Sequence, residues 1–343
     1  APLPRLRPQE FANASTNRFR TEARFYLETE LAFFREMRRF LKEELGVRPP
    51  IVGTADHNDR YAAYAHILAN AELDWVDGHG YWQHPNVRIE PPTIVNTPMV
   101  NDPSDSTVTQ FARTPMLGRA FTISEVNHPF PHEYACEGWP ILAAYAMFHD
   151  WDGVYWYTWD HGRPAPPDGG IAPRSFFDLC RDPMKVASLM VGAAMWHTRS
   201  VSPARRTIVR SLPPETMLDL LRMDRKESPF FAPGFERTLA LVHATRWRPE
   251  EVPAAPVPPA PATDRIVADT GELEWRDAPS GRGLVTVDTP FVQALVGHHG
   301  ERELSTRHLS VRLVNRFAAV TLVSLDGRPL RESGRMLLAA TSW

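Results

Sequence analysis

The sequence predicts an α/β fold in two parts: a parallel sheet covered by helices, then an antiparallel β-sandwich. Three observations carry this. Apolar helical repeats alternate with short apolar strands over about the first 200 residues. Polar and aromatic residues gather at the C-terminal end of each of those strands. From about Ser202 the pattern changes to short alternating runs separated by turn residues.

The first element is a helix over 18–46, where Leu27, Leu31, Phe34, Leu41 and Leu45 recur at three-, four- and seven-residue steps and Gly46 supplies a stop. Pro49 and Pro50 break the chain, and a short strand over 51–55 ends at Asp56, His57 and Asn58. A helix over about 60–72 leads to a second strand from Trp75 to His79, ending at Gly80, Tyr81 and Trp82. A polar, proline-rich loop runs from Gln83 to Arg119, a length that in a compact domain reads as functional or disordered. The strand 120–124 ends at Glu125, a helix spans 133–149, a fourth strand spans 153–159, and a further helix covers 183–199. Beyond it, strands are expected at 206–210, 283–287, 291–296, 309–313 and 318–323, with a tight turn at Asp326–Gly327. The expected division is a domain 1–202 and a sandwich domain 203–343 carrying a Pro-rich segment at 249–262.

Composition narrows the function. Of 343 residues 43% are hydrophobic, enough for a sizeable core, and 38 basic against 41 acidic residues leave a net charge of −3. That balance points away from nucleic acid and anionic membranes, and no apolar run approaches the roughly 18 residues of a membrane span. The N-terminal APLPRLRPQEF carries no signal-peptide stretch, and no compartment is assigned. Cys136 and Cys180 make neither a disulfide framework nor a metal set. The 33 prolines are near twice ordinary usage, and several of the 10 tryptophans stand beside His, Asp or Tyr. Aromatic rings next to polar groups suit a pyranose, which has apolar C–H faces and a rim of hydroxyls.

The strand ends carry the chemistry. Asp56/His57, His79/Tyr81/Trp82, Glu125/Asn127/His128 and Trp159/Asp160/His161 all fall where (β/α) barrels hold their active sites. The run Ser124–Glu125–Val126–Asn127–His128–Pro129, followed by an Ala-rich helix and Trp151–Asp152–Gly153–Val154 leading to Trp159, resembles strands seven and eight of the clan A retaining glycoside hydrolases. The preceding Val76 to Pro85 resembles strand six, and Val201–Ala204 and Thr286–Pro290 resemble the sandwich segments after β-galactosidase-like barrels. The resemblance implies an incomplete (β/α) barrel of about four strands, equivalent to strands five to eight. It also implies Glu125 as nucleophile, Tyr81 as its hydrogen-bond donor and Trp159 as the floor of a sugar subsite. The chain departs from that family in having no Asn–Glu pair to supply the acid/base.

Retaining cleavage needs an ionised carboxylate at the anomeric carbon and a protonated carboxyl about 5–5.5 Å away. Glu125 suits the first role. For the second, Asp56 is the leading candidate, with Asp160, Glu133 and Glu137 behind it, although Asp56 also suits a helix cap or turn. Substrate contacts are expected from His57, His79, Tyr81, Trp82, Asn127, His128, Trp159 and Asp160, with His84, His132 and His161 nearby. Histidines so placed can bind sugar hydroxyls, hold a metal or be structural, and the spacing is not that of a metal motif. The expectation is a glycosidase of β-linked glycosides without cofactor or metal. A carbohydrate-binding relative with a truncated barrel and a histidine-based metal hydrolase are the alternatives. Four barrel strands leave unpaired edges, so a homodimer meeting through the partial barrels or the loop 83–119 is expected.

Overall fold

The computed structural model describes residues 4–57, 64–162, 173–222, 236–250, 256–262 and 264–342. They form a mixed α/β structure with parallel and antiparallel sheets. Helix α1 (Thr16–Arg39) starts where the Ser15 hydroxyl accepts the Arg18 N–H at 3.3 Å, and Phe19, Ala23 and Phe34 form its buried stripe. A π-helical turn over Phe40–Glu44 prolongs it to Gly46, whose φ of 66° closes the helix in the left-handed region. The helix packs on α2 (Tyr64–Asn70) and α6 (Pro214–Leu220). Asn58, Asp59 and the start of the helix expected at 60–72 lie outside the described residues.

The first sheet holds β1 (Trp75–Tyr81), β2 (Ala120–Asn127) and β3 (Gly153–Trp156), parallel and in that order. The segment expected as a leading strand joins β1 only at Asp56, which donates its N–H to Asp77 O at 2.9 Å and accepts from His79 N at 2.8 Å. Pro49 and Pro50 bring no N–H to a ladder, and Ile51 N–H goes to the Asp74 carboxylate instead, at 2.7 Å. Helix α4 (Gly138–Phe148), entered through a 3-10 turn at Ala135–Glu137, is apolar all round and buried at all eleven positions. Such a helix must lie inside, and α4 touches α3 (Thr107–Phe111), α5 (Pro183–His197) and the antiparallel sheet. Its Trp139 stacks on Trp156 of β3 at 5.1 Å.

The loop from Gln83 to Arg119 departs from expectation. Its second half holds α3 and a 3-10 turn at Met99–Asn101, and Met99, Val100, Val108, Phe111 and Ala112 are core residues. Two tryptophans fasten it from afar: Trp275 Nε1 donates to Val100 O at 2.7 Å and Trp247 Nε1 to Thr114 O at 3.0 Å. Both rings are fully buried, and polar segments can be core only when their backbone groups find such partners.

β4 (Thr207–Ser211) and β5 (Ala244–Arg248) form a second parallel pair. A six-stranded antiparallel sheet follows, from β6 (Arg265–Val267), β7 (Leu273–Arg276), β8 (Leu284–Asp288), β9 (Val292–His298), β12 (Phe317–Ser324) and β13 (Met336–Thr341), ordered β13-β12-β9-β8-β7-β6. Helix α5 covers β12 and β13, while a ribbon of β10 (Glu303–Ser305) and β11 (Ser310–Arg312) supplies Leu304, next to Leu309, against Leu284, Leu295 and Val320. β9 and β12 are buried along nearly their whole length on both faces, so their apolar runs are not the one-sided alternation of an exposed sheet. The core is continuous across the expected boundary at 202/203, with Tyr145 of α4 and Trp275 of β7 in ring contact at 6.3 Å. Among the described residues no helix is long and apolar enough to cross a membrane.

Candidate functional site

A cavity of about 880 Å³ opens at the C-terminal ends of β1, β2 and β3, within the size range of small-molecule sites. Local strand irregularity aims Glu125 into it. Phe121 and Ile123 face the core, so strict alternation would send residue 125 inward with them. The register slips: Gly78 pairs with Ile123 but His79 with Glu125, leaving Ser124 as the extra residue, and the β2–β3 pairing slips at the same place. A bulge there turns Glu125 to the cavity side and lets Val126 return to the core.

Glu125 Oε2 accepts a short hydrogen bond from the Tyr81 hydroxyl and lies 3.6 Å from His79 Nδ1. Burial first, then the bond to Glu125, that carboxylate's charge and the nearby Tyr157 push the Tyr81 phenol far above its ordinary pKa, so it stays a donor. His79 is itself held. The Ser124 hydroxyl is committed to Asp77, as is that of Thr122, so His79 Nε2 donates to Ser124 Oγ at 2.7 Å. That leaves Nδ1 facing Glu125. The His57 ring packs edge-on against His79 at 4.7 Å.

The far wall is a cluster of rings. Phe177 lies 4.8 Å from Tyr81, 5.6 Å from His84, 5.9 Å from Tyr157 and 6.0 Å from His161. Trp82 is mostly buried and donates Nε1–H to Thr97 O at 2.8 Å, with part of its surface on the cavity. Gln83 takes a left-handed φ of 62°, held by its side chain: its Oε1 accepts from Thr97 N at 3.1 Å and its Nε2 donates to Thr97 Oγ1. His132 Nε2 also donates to that Oε1, at 3.0 Å, while its Nδ1 accepts Tyr134 N–H at 3.2 Å. Both ring nitrogens are used by the neutral tautomer, and burial pushes His132 down to about 4.

Of the residues expected at the site, Glu125, Tyr81, Trp82, His79 and His57 line the cavity. Asp56 does not. It is 1% exposed, and its carboxylate is taken by Arg113 at 2.5 Å and Thr114 Oγ1 at 2.8 Å, so it fastens the loop rather than serving as an acid. Asn127 is buried and donates to Tyr157 O at 2.6 Å and Phe177 O at 3.0 Å, positioning two wall residues instead of touching substrate. His128 is buried 3.6 Å from Glu137, and burial, with His132 and Lys185 adding to it, drives its pKa well below the ordinary range. Trp159 is 58% exposed and Asp160 caps Gly162 N at 2.7 Å; neither is part of the cavity lining, where Tyr157 stands in Trp159's expected place. Glu137 is sealed in the core, its two oxygens accepting Met99 N at 2.6 Å and Val100 N at 3.0 Å, and Glu133 N–H binds Asn96 on the exposed side.

Sequence reading missed Tyr157, Phe177 and Gln83. Tyr157 sits two residues short of the Trp159 chosen as strand end, and Phe177 comes from a segment with no periodic signal. Among the described residues no group of three or more His, Cys, Asp or Glu side chains is set to hold a metal ion. The chain matches no protein-family model, and no curated protein or solved structure matches it.

Proposed function

We propose that the chain is a glycoside hydrolase working on β-linked glycosides with retention, on an incomplete (β/α) barrel with Glu125 as nucleophile. The observation that carries this is the setting of Glu125: a bulge-aimed carboxylate at a strand end, held by a phenol that stays protonated, on the floor of a cavity walled by aromatic rings. The Tyr81 bond fixes which lone pair of Glu125 is spent, leaving Oε1 for the anomeric carbon. Tyr81, Phe177 and Tyr157 offer ring faces to the apolar side of a sugar, while His57 and His84 offer ring nitrogens to its hydroxyls. Removing the nucleophile costs several orders of magnitude in such a reaction. Glu125→Gln is expected to show no turnover of an aryl β-glycoside that the parent cleaves, with its melting temperature unchanged. Retention of more than about a tenth of the rate refutes the assignment.

The placing of Asp56 against Arg113 favours one second reading, a sugar-binding relative that keeps the aromatic walls but has lost the acid. Binding of an oligosaccharide without turnover would select it. A homodimer is part of the proposal as well. Its support is the exposed apolar trio Val87, Ile89 and Val95 on the loop beside the cavity, a patch a second copy would cover. Light scattering at micromolar concentration is expected to give about twice the chain mass of 38.8 kDa, and a value at the single-chain mass rejects the dimer.

A further inference from the structure

The cavity holds a second constellation besides Tyr81, His79 and Glu125. In the same cavity as Glu125, the Tyr157 hydroxyl lies 3.3 Å from His161 Nε2, and His161 Nδ1 lies 3.3 Å from Asp178 Oδ1. Tyr157 and His161 line the cavity; Asp178 stands behind them with its side chain 0% exposed. A carboxylate sealed in this way needs compensation, and three backbone groups supply it: His161 N at 3.1 Å on Oδ1, and Arg174 N and Ser175 N at 2.9 Å each on Oδ2. Burial works against its charge, but these N–H donors outweigh it and hold the Asp178 carboxyl below the ordinary range.

The order of the three groups has a chemical meaning. An ionised Asp178 can only accept, so His161 keeps a hydrogen on Nδ1 whether neutral or protonated, and Nε2, the nitrogen that gains or gives up the second proton, is turned to Tyr157. Phe177 packs on the rings of both, which keeps the pair in register. Hydroxyl, imidazole and buried carboxylate in a line are the parts of a proton relay. Tyr157 and Tyr81 pack on the same ring, Phe177, at 5.9 and 4.8 Å, which sets the relay beside the tyrosine that holds Glu125.

Building on the glycosidase reading, we infer that Tyr157, His161 and Asp178 are the acid/base of the site, the role that a second carboxyl fills in other retaining enzymes. In the first step Glu125 Oε1 forms a bond to the anomeric carbon as its bond to the leaving oxygen breaks. That oxygen keeps the electron pair and takes the Tyr157 proton, while the Nε2–H of protonated His161 replaces it, leaving His161 neutral. In the second step water attacks the anomeric carbon and the bond to Glu125 breaks. The proton of the water passes to Tyr157, whose own proton returns to His161 Nε2. The sum is glycoside plus water giving two alcohols, with every protein group restored. Tyr157 touches the substrate; His161 stores the proton; Asp178 positions His161.

The test separates proton donation from packing. Tyr157→Phe deletes one hydroxyl and keeps the ring against Phe177, and His161→Gln removes the proton store. Both are compared with the parent on 2,4-dinitrophenyl and phenyl β-glycosides of glucose, galactose, mannose and xylose, with thermal melts alongside. A dinitrophenolate departs without protonation; phenolate and alkoxides need it. The expected result is a loss of roughly 100-fold or more in kcat/KM on the phenyl glycoside, within the range of acid–base catalysis, and less than about threefold in the rate of the first step on the dinitrophenyl glycoside. Equal losses on both substrates, or no loss on either, overturn the relay while leaving Glu125 in place. A parent that cleaves none of these glycosides overturns the glycosidase reading and the relay with it.

Discussion

Asp56→Asn separates the structural from the catalytic account of that residue. The substitution keeps the shape and removes only the charge. Asp56 and Arg113 are each 1% exposed and meet at 2.5 Å, so the change removes a charge set directly against a guanidinium sealed in the core. Removing one side of a buried ion pair costs about 3–5 kcal/mol, because the surviving charge has already given up its water. With an unfolding entropy near 2.1 cal/mol/K per residue, 343 residues unfold with about 0.7 kcal/mol/K, so the melting temperature is expected to fall by about 4–7 °C. Thr114 loses charge on its acceptor but can still bond the amide oxygen. Because Asp56 is outside the cavity, kcat on an aryl β-glycoside, measured well below the melt, is expected to stay within about threefold of the parent; a catalytic acid would cost about 100-fold or more. An unchanged melt with turnover abolished would refute this reasoning and return Asp56 to the reaction.

Two further perturbations read the core. His149 is buried and neutral, its Nε2 donating to Ala240 O at 2.8 Å and its ring stacked on Trp151 at 4.9 Å, and burial with Arg246 nearby pushes it down to about 3. Its folded pKa lies below the unfolded value of about 6.5, so the unfolded chain binds the extra proton; the stability linked to it is complete above about 6.5 and is lost as pH falls toward about 3, on the order of 5 kcal/mol in all. Denaturant titrations from pH 7 to pH 4 are expected to show this slope flattened in His149→Gln, and an identical slope in that variant rejects the assignment. At Gly192 of α5, a Cβ would fall 1.6 Å from Trp139 Nε1, the ring that stacks on Trp156. Gly192→Ala is therefore expected to destabilise by about 1–3 kcal/mol despite the better helix propensity of alanine, and a stabilised variant would mean that Trp139 moves freely.

Much of this protein can be read from local pattern. The first long helix, expected at 18–46, the apolar helix expected at 133–149, and the strands leading to Tyr81 and Glu125 are legible from periodicity and turn residues, with bounds that differ by some residues, because those signals are written within a few residues of the element they make. The Tyr81–Glu125 bond was also expected, through resemblance, and joins neighbouring parallel strands. What local pattern could not decide is which polar residues face the cavity. Asp56, Asn127 and His128 sit at strand ends like the residues around Glu125, yet they are buried by Arg113, by the carbonyls of Tyr157 and Phe177, and by Glu137. Those partners lie 9 to 57 residues away in the chain, and one extra residue in β2 decides which side each neighbour faces. The same holds for the second half, where α5 and a small ribbon, rather than a second large sheet, cover β9 and β12. Alternation and spacing determine that a segment is helix or strand; burial of one particular carboxylate against one particular arginine depends on contacts that exist only once distant segments meet, and so the tertiary structure alone sorted the site from its supports.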